Sequence, residues 1–240
     1  MTGDVIGTVK EVIRRTHNVK SIRVDVGKRL AFKAGQFLSA AFKGESECKR
    51  WLSISNSPTE EGYIEFTKKL TQSDFSEKLE AVKPGDKISL RYPFGKFTLE
   101  DNLGDMRTGI TYLSGGIGIT PIRSMCRYAV DKKLGTDIIL VYANRSINDI
   151  VFREDFEEMQ RRYDKLKVVN VLCESAPGFN CVVGVINSEM VKKAVPDYTV
   201  RKFYLCGPPP MVEAMRRMLV GELSLPKENI ITENFQGYES

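Results

Sequence analysis

The sequence predicts two domains, an antiparallel β-barrel followed by an α/β domain built on a parallel sheet. Three observations carry that expectation. Up to about residue 100 the chain reads as short runs of alternating apolar and polar residues broken by turns, the pattern of half-buried antiparallel strands. Beyond residues 101–105 strand-like runs alternate with helical stretches, as βαβ units do around a parallel sheet. Two of the later strands end in glycine- or proline-rich loops that open a helix. A boundary near 105 gives a first domain of residues 1–105 and a second of residues 106–240.

In the first domain the expected strands are Val5–Arg14, Ser21–Val26, Phe37–Phe42, Arg50–Ser55, Tyr63–Lys69 and Lys87–Tyr92. A helix from Asp74 to Val82 interrupts them, ahead of the turn Lys83-Pro84-Gly85-Asp86. Short strands with regular turns suit a small closed sheet. In the second domain the expected strands are Ile110–Ser114, Ile138–Ala143, Leu166–Leu172, Lys202–Cys206 and Ile230–Ile231. Helical stretches fall near 121–134, 149–163, 187–195 and 209–223.

The first glycine loop is Ser114-Gly115-Gly116-Ile117-Gly118-Ile119-Thr120-Pro121. Glycines permit positive φ and close approach of a ligand to the backbone. Pro121 suits a first helical turn, where its missing N–H is not needed. The helix that follows places Ile122, Met125, Ala129 and Val130 on one face. Its N-terminus would present N–H groups to a pyrophosphate. The loop departs from G-x-G-x-x-G, and by itself it equally suits a tight turn with no ligand. The second loop, Cys206-Gly207-Pro208-Pro209, also opens a helix, one that buries Val212, Met215, Met218 and Leu219. Two such loops at the carboxyl ends of parallel strands can meet at a switch point, where doubly wound sheets bind nucleotides. By spacing alone Cys206 reads as a small buried hydrophobe.

Composition excludes several classes. Lys and Arg outnumber Asp and Glu by 36 to 31 with no long basic run, so nucleic acid is not an expected partner. No run of ~18 apolar residues suggests a membrane span, and no apolar leader follows Met1; a cytoplasmic location is the expectation. Five cysteines without C-x-x-C spacing suggest neither a disulfide framework nor a cluster. His17, the single histidine, falls in a polar turn. That speaks against a Ser-His-Asp hydrolase and a histidine-rich metal centre, and no metal site is expected.

The two loops, in this order, resemble the nucleotide-binding half of the ferredoxin–NADP reductase family. Arg50-Trp51-Leu52-Ser53 resembles that family's Arg-x-Tyr-Ser flavin motif, and Pro93-Phe94-Gly95-Lys96-Phe97 its Gly-Pro-x-Gly-x-Phe turn. Glu233-Asn234-Phe235 resembles its Glu-x-aromatic ending. The resemblance implies FAD on the barrel and NADPH or NADH on the α/β domain, meeting in a cleft between them. Hydride would pass between nicotinamide C4 and flavin N5, and single electrons to or from a carrier such as ferredoxin or flavodoxin. Rival readings are a free-flavin or ferric reductase, a reductase component of an oxygenase, and a flavin-binding subunit of a larger complex.

By the same resemblance, Arg50 would pair with the flavin pyrophosphate, Ser53 would bond near N5, and Lys68 and Ser76 would contact ribitol and phosphate. Leu52 replaces the family's stacking tyrosine, leaving only an apolar wall, while Trp51 faces the other side of the strand. Gly115, Gly116, Gly118, Thr120, Pro121, Cys206, Gly207 and Pro208 would hold the nicotinamide nucleotide. Ser53, Cys206 and Glu233 are the expected catalytic residues; Glu233 also reads as a solvated terminal glutamate. Phe235 would shield the flavin or merely anchor the C-terminus. Arg145 and Ser146, after the second parallel strand, offer a donor pair to a 2′-phosphate, a modest preference for NADPH over NADH.

Overall fold

The computed structural model describes residues 3–27, 31–42, 48–99 and 109–234. The chain divides into two compact units, Met1–Leu99 with Thr120–Asp131, and Glu100–Ile119 with Lys132–Ser240. The boundary expected near 105 lies outside the described residues.

The first unit carries β1 (Gly3–Thr16), β2 (Val19–Asp25), β3 (Phe37–Phe42), β4 (Lys49–Ser53), β5 (Ile64–Lys69) and β6 (Lys87–Phe94), with α1 (Asp74–Ala81) between the last two. All pairings are antiparallel, in the order β4-β3-β6-β1-β2-β5. The sheet curls until its ends meet. Just past β4, Ile54 bridges Phe66, and the Ser55 N–H donates to the Glu65 carbonyl at 2.8 Å. Alternation sends Ile22, Leu38, Leu52, Ile54, Ile64, Phe66 and Leu90 into one apolar core, capped by Leu79 of α1. At the seam a polar layer is buried instead. Ser21, Ser55 and Thr67 exchange hydroxyl hydrogen bonds, and fully buried Glu65 accepts from Ser55, Arg15 and Arg23.

The second helix, α2 (Ile119–Lys132), contributes Thr120–Asp131 to this first unit. Arg123, 2% exposed, forms a forked pair with Glu60. The same carboxylate accepts the Ser57 N–H at 2.7 Å. Arg123 also donates to the Ser55 carbonyl, Ser124 to the Asn56 carbonyl, and Thr59 to Asp131. The segment that continues the Arg50–Ser53 strand is therefore bolted down by buried, charge-assisted bonds.

The second unit is a parallel sheet ordered β10-β9-β8-β7-β11-β12. Its strands are β7 (Ile110–Gly115), β8 (Ile138–Asn144), β9 (Leu166–Leu172), β10 (Val182–Val183), β11 (Lys202–Gly207) and β12 (Ile230–Asn234). Its helices are α3 (Arg153–Arg162), α4 (Ser188–Ala194) and α5 (Pro209–Arg217). Leu113, Val141, Val171 and Leu205 point to the face packed by Val191 of α4 and by Val212 and Met215 of α5. After β7 the chain winds toward β10, and after β10 it returns to the other side of β7 with β11. The switch point lies between β7 and β11.

Two differences from the sequence expectation, at the start of α3 and at β10, have local causes. The helix expected from 149 starts at Arg153. Ser146 and Asp149 close a capping box over a single 3-10 turn, and Phe152 then stands at φ 61, which no continuous helix allows. The last helical stretch, expected over 209–223, runs as α5 and then as a π turn, Met218–Glu222. Strand β10 is two exposed valines, too short for any periodicity to announce.

Removing one partner of a buried ion pair strands a charge and costs about 3–5 kcal/mol. Glu60→Ala should therefore lower the urea midpoint far more than Arg14→Ala. The latter removes the half-exposed Arg14–Glu80 pair, worth about 0–1 kcal/mol. Equal small shifts would show that Arg123 finds compensation elsewhere.

Candidate functional sites on the two units

On the first unit the site residues gather around the end of β4. Arg50 is half-buried, donates to the Lys49 carbonyl at 2.9 Å, and lies 5.9 Å from the Phe75 ring centroid. Among the described residues it has no carboxylate partner. Lys68 is 2% exposed, and its ammonium donates to the Lys69 carbonyl at 2.9 Å. Burial, and secondly the charge of Arg50, pull its pKa down to about 8. Two cations brought together out of water favour an anion between them.

Ser76 sits in the first turn of α1, but that turn is closed on itself. Its N–H goes to Ser73, and its hydroxyl accepts the Thr71 N–H at 3.1 Å and joins the Thr71 and Ser73 hydroxyls. The phosphate contact expected of Ser76 thus finds its N–H and its hydroxyl already engaged.

Leu52 stands opposite Leu38 and is 4% exposed, part of the barrel core. Trp51 points the other way, 49% exposed, edge-on to Phe37 and Phe94. Ser53 is opposite Phe37, and its buried Oγ has no hydrogen-bond partner among the described residues. A buried orphan hydroxyl is uncommon, and a polar ligand would satisfy it.

On the second unit the two loops touch at the switch point. A Cβ on Gly118 would lie 2.4 Å from the Cys206 carbonyl oxygen and 2.6 Å from the Gly207 Cα. A Cβ on Gly115 would lie 2.2 Å from the Met211 sulfur. Gly118 is thus required by the approach of the other loop's backbone, a reason additional to ligand approach, whereas the Met211 side chain of α5 could shift to admit a Cβ at Gly115. Gly116 stands at φ +52. Thr120 and Pro121 occupy the first turn of α2, and Pro208 is the N-cap residue of α5.

Ser114, Cys206 and Glu233 share one register row across β7, β11 and β12, so they share a face. The Ser114 hydroxyl and one Glu233 oxygen are buried without a partner among the described residues. Burial raises the Glu233 pKa to about 7. The Cys206 thiol is fully buried, and burial, with the Glu233 charge second, pushes its pKa far up. Cys206 is therefore a neutral thiol near pH 7, and Glu233 can hold or release a proton there.

Arg145 is exposed. Ser146 is not available beside it, which corrects the expected donor pair. Its hydroxyl and N–H both go to the Asp149 carboxylate, at 2.8 and 3.1 Å. Phe235 lies outside the described residues. Sequence reasoning passed over Tyr142 and Asn144, buried at the carboxyl end of β8; polar groups closing an otherwise apolar strand were the available signal. Among the described residues no cluster of three or more His, Cys, Asp or Glu could hold a metal, and no helix is long and apolar enough to cross a membrane.

The family model for the oxidoreductase FAD-binding domain matches residues 7–99, and that for the oxidoreductase NAD-binding domain residues 112–217. NADH-cytochrome b5 reductase 1 of Aspergillus terreus is 30% identical over 223 residues, covering 87% of this chain and 74% of the relative. The glycine betaine monooxygenase reductase subunit of Pseudomonas aeruginosa is 29% identical over 219 residues, 88% of this chain. The match spans 59% of that relative's length. The ferredoxin reductase in carbazole 1,9a-dioxygenase superposes with a TM-score of 0.83 at 27% identity, over 98% of this chain and 70% of that one.

A glutamate whose folded pKa is raised from 4.5 to about 7 lowers stability as pH rises through that window, because the unfolded chain releases the proton first. Glu233→Gln should accordingly raise the melting temperature at pH 8 and change it little at pH 5. The same shift at both pH values would mean that Glu233 titrates normally.

Proposed function

From the premise that the chain belongs to the ferredoxin–NADP reductase family, we propose that it transfers hydride between a nicotinamide nucleotide and FAD and passes single electrons to a carrier. The observation that carries this reading is the contact of the glycine loop with Cys206-Gly207 at the switch point, beside the orphaned row of Ser114 and Glu233. Doubly wound sheets bind nucleotides there.

The barrel residues fit FAD. Arg50 and Lys68 supply two cations to a diphosphate, which the guanidinium can engage through two parallel bonds. Ser53 supplies an unsatisfied hydroxyl to a ring edge. Bound flavin supplies the conversion between a two-electron hydride and single electrons. The chain's own work is alignment and proton holding. Gly115–Gly118 and Pro208 hold the nucleotide, Cys206 stays neutral against it, and Glu233 retains or yields a proton near pH 7. Leu52 offers no aromatic face, and its burial leaves little of it for a ring to rest on.

Ferredoxin and flavodoxin are the proposed carriers, in a cytoplasmic setting. A second reading, delivery of electrons toward an oxygenase, is favoured by the likeness to the glycine betaine monooxygenase reductase subunit and to the ferredoxin reductase in carbazole 1,9a-dioxygenase. Anaerobic stopped-flow mixing with NADH and NADPH tests the core proposal, followed by turnover with ferredoxin, flavodoxin and free FMN. A protein that takes up no FAD would end it.

Two further outcomes are expected. FAD binding needs protonated Lys68, whose pKa before binding is about 8. The association constant should fall with rising pH above that value, by up to about tenfold per unit, and Lys68→Gln should abolish the slope. A flat profile from pH 7 to 9.5 would remove Lys68 from the site. With Ser146 engaged, Arg145 is left as a single exposed reader of a 2′-phosphate, so NADPH should be preferred only modestly. Arg145→Ala should raise the Michaelis constant for NADPH alone, and an equal rise for NADH would refute that role.

A further inference from the structure

Strand β8 ends in Tyr142-Ala143-Asn144, and Tyr142 pairs in register with Ser114, on the face that carries Cys206 and Glu233. The Tyr142 ring is 1% exposed. A phenylalanine would fill that space as well, so the hydroxyl needs its own account; burying it unbonded would be unfavourable. It donates to the Gly116 carbonyl at 3.1 Å and accepts the Val151 N–H at 3.3 Å. Gly116 opens the 3-10 turn Gly116–Gly118 that leads into α2. Val151 closes the β8-to-α3 connection that carries Arg145. One buried hydroxyl thus ties together the two loops that flank the carboxyl ends of β7 and β8. Both carboxamide atoms of Asn144, two residues on, are buried without a hydrogen-bond partner among the described residues.

We propose that Tyr142 is a positioning residue for the nicotinamide nucleotide, its hydroxyl holding the glycine loop in the conformation that receives the ligand. This rests on the nucleotide-binding reading above. Gly116 has no side chain to restrain it, and a Cβ there would meet open space, so its conformation is set by bonds to its backbone. The Ile119 N–H also bonds to the Gly116 carbonyl and keeps the helix start in place. The tyrosine hydroxyl adds the restraint from the sheet. Ordering lost from a free loop has to be recovered on binding, so affinity falls while chemistry on the bound nucleotide is untouched.

The test uses the FAD-loaded full chain and its Tyr142→Phe variant. Titration calorimetry with NAD+ and NADP+ gives dissociation constants, and steady-state turnover of NADH and NADPH with ferricyanide gives kcat and KM. The variant should bind the preferred nucleotide about tenfold more weakly, with KM raised in step and kcat and FAD content retained. Amide exchange at Gly116–Ile119 and at residues 147–152 should speed up. Unchanged dissociation constants with a lower melting temperature would reduce the hydroxyl to a structural role and overturn the proposal. So would a fall in kcat at constant KM, or failure of the variant to fold. Wild-type protein that holds FAD but binds neither nucleotide would instead overturn the underlying reading, before the variant is considered.

Discussion

The second unit is organised by the absence of a Cβ at Gly118. Strands β7 and β11 run side by side where the sheet reverses its winding, and each ends in a loop that opens a helix. The loops approach until Gly118 lies against the backbone of Cys206 and Gly207. Any larger residue would push apart carbonyl and Cα atoms, which cannot rotate away as a side chain can. That approach lets β7, β11 and β12 finish in step. The common register places Ser114, Cys206 and Glu233 side by side, and the Tyr142 hydroxyl reaches the Gly116 carbonyl from the next strand.

The barrel answers a different constraint, the burial of charge where its sheet closes. Glu65 is fully buried and carries Arg15 and Arg23; Arg123 is fully buried and carries Glu60. In each case the burial of one charge is offset by an opposite one with matched hydrogen bonds. Arg50 and Lys68 form a pair of another kind. They are like charges, one buried and one half-buried, and the described residues set no carboxylate against Arg50. Under the proposed function, the FAD diphosphate would be the anion that meets this pair.

Much of this was legible from the residues. Alternation located the barrel strands to within a few positions, because their apolar faces are nearly all core. The glycine and proline loops located the switch point. What escaped depends on contacts between segments distant in the chain or on turns too small to show a period. Gly118, which read as room for a ligand, also makes room for another loop. Ser146 read as a donor for phosphate, yet three residues later Asp149 claims it. Ser76 read as a phosphate contact and is held by Thr71 and Ser73. The Tyr142 hydroxyl had no local partner to reveal it, since both its bonds go to other loops.

The row of Ser114, Cys206 and Glu233 also sorts its members by what each can do at neutral pH. Cys206 has the position of a nucleophile but not its chemistry. The thiol is fully buried, and that burial, with the glutamate charge second, keeps the proton on sulfur. It acts as a small, polarisable, uncharged surface. Glu233 is raised only to about 7, where both protonation states are populated. A carboxyl at that setting can exchange a proton without a large driving force in either direction, the condition under which general acid–base assistance works best. Its neighbour's neutrality is part of that setting. A thiolate at Cys206 would raise the glutamate further, so the two groups are tuned together, and only the carboxyl of the pair remains free to change charge.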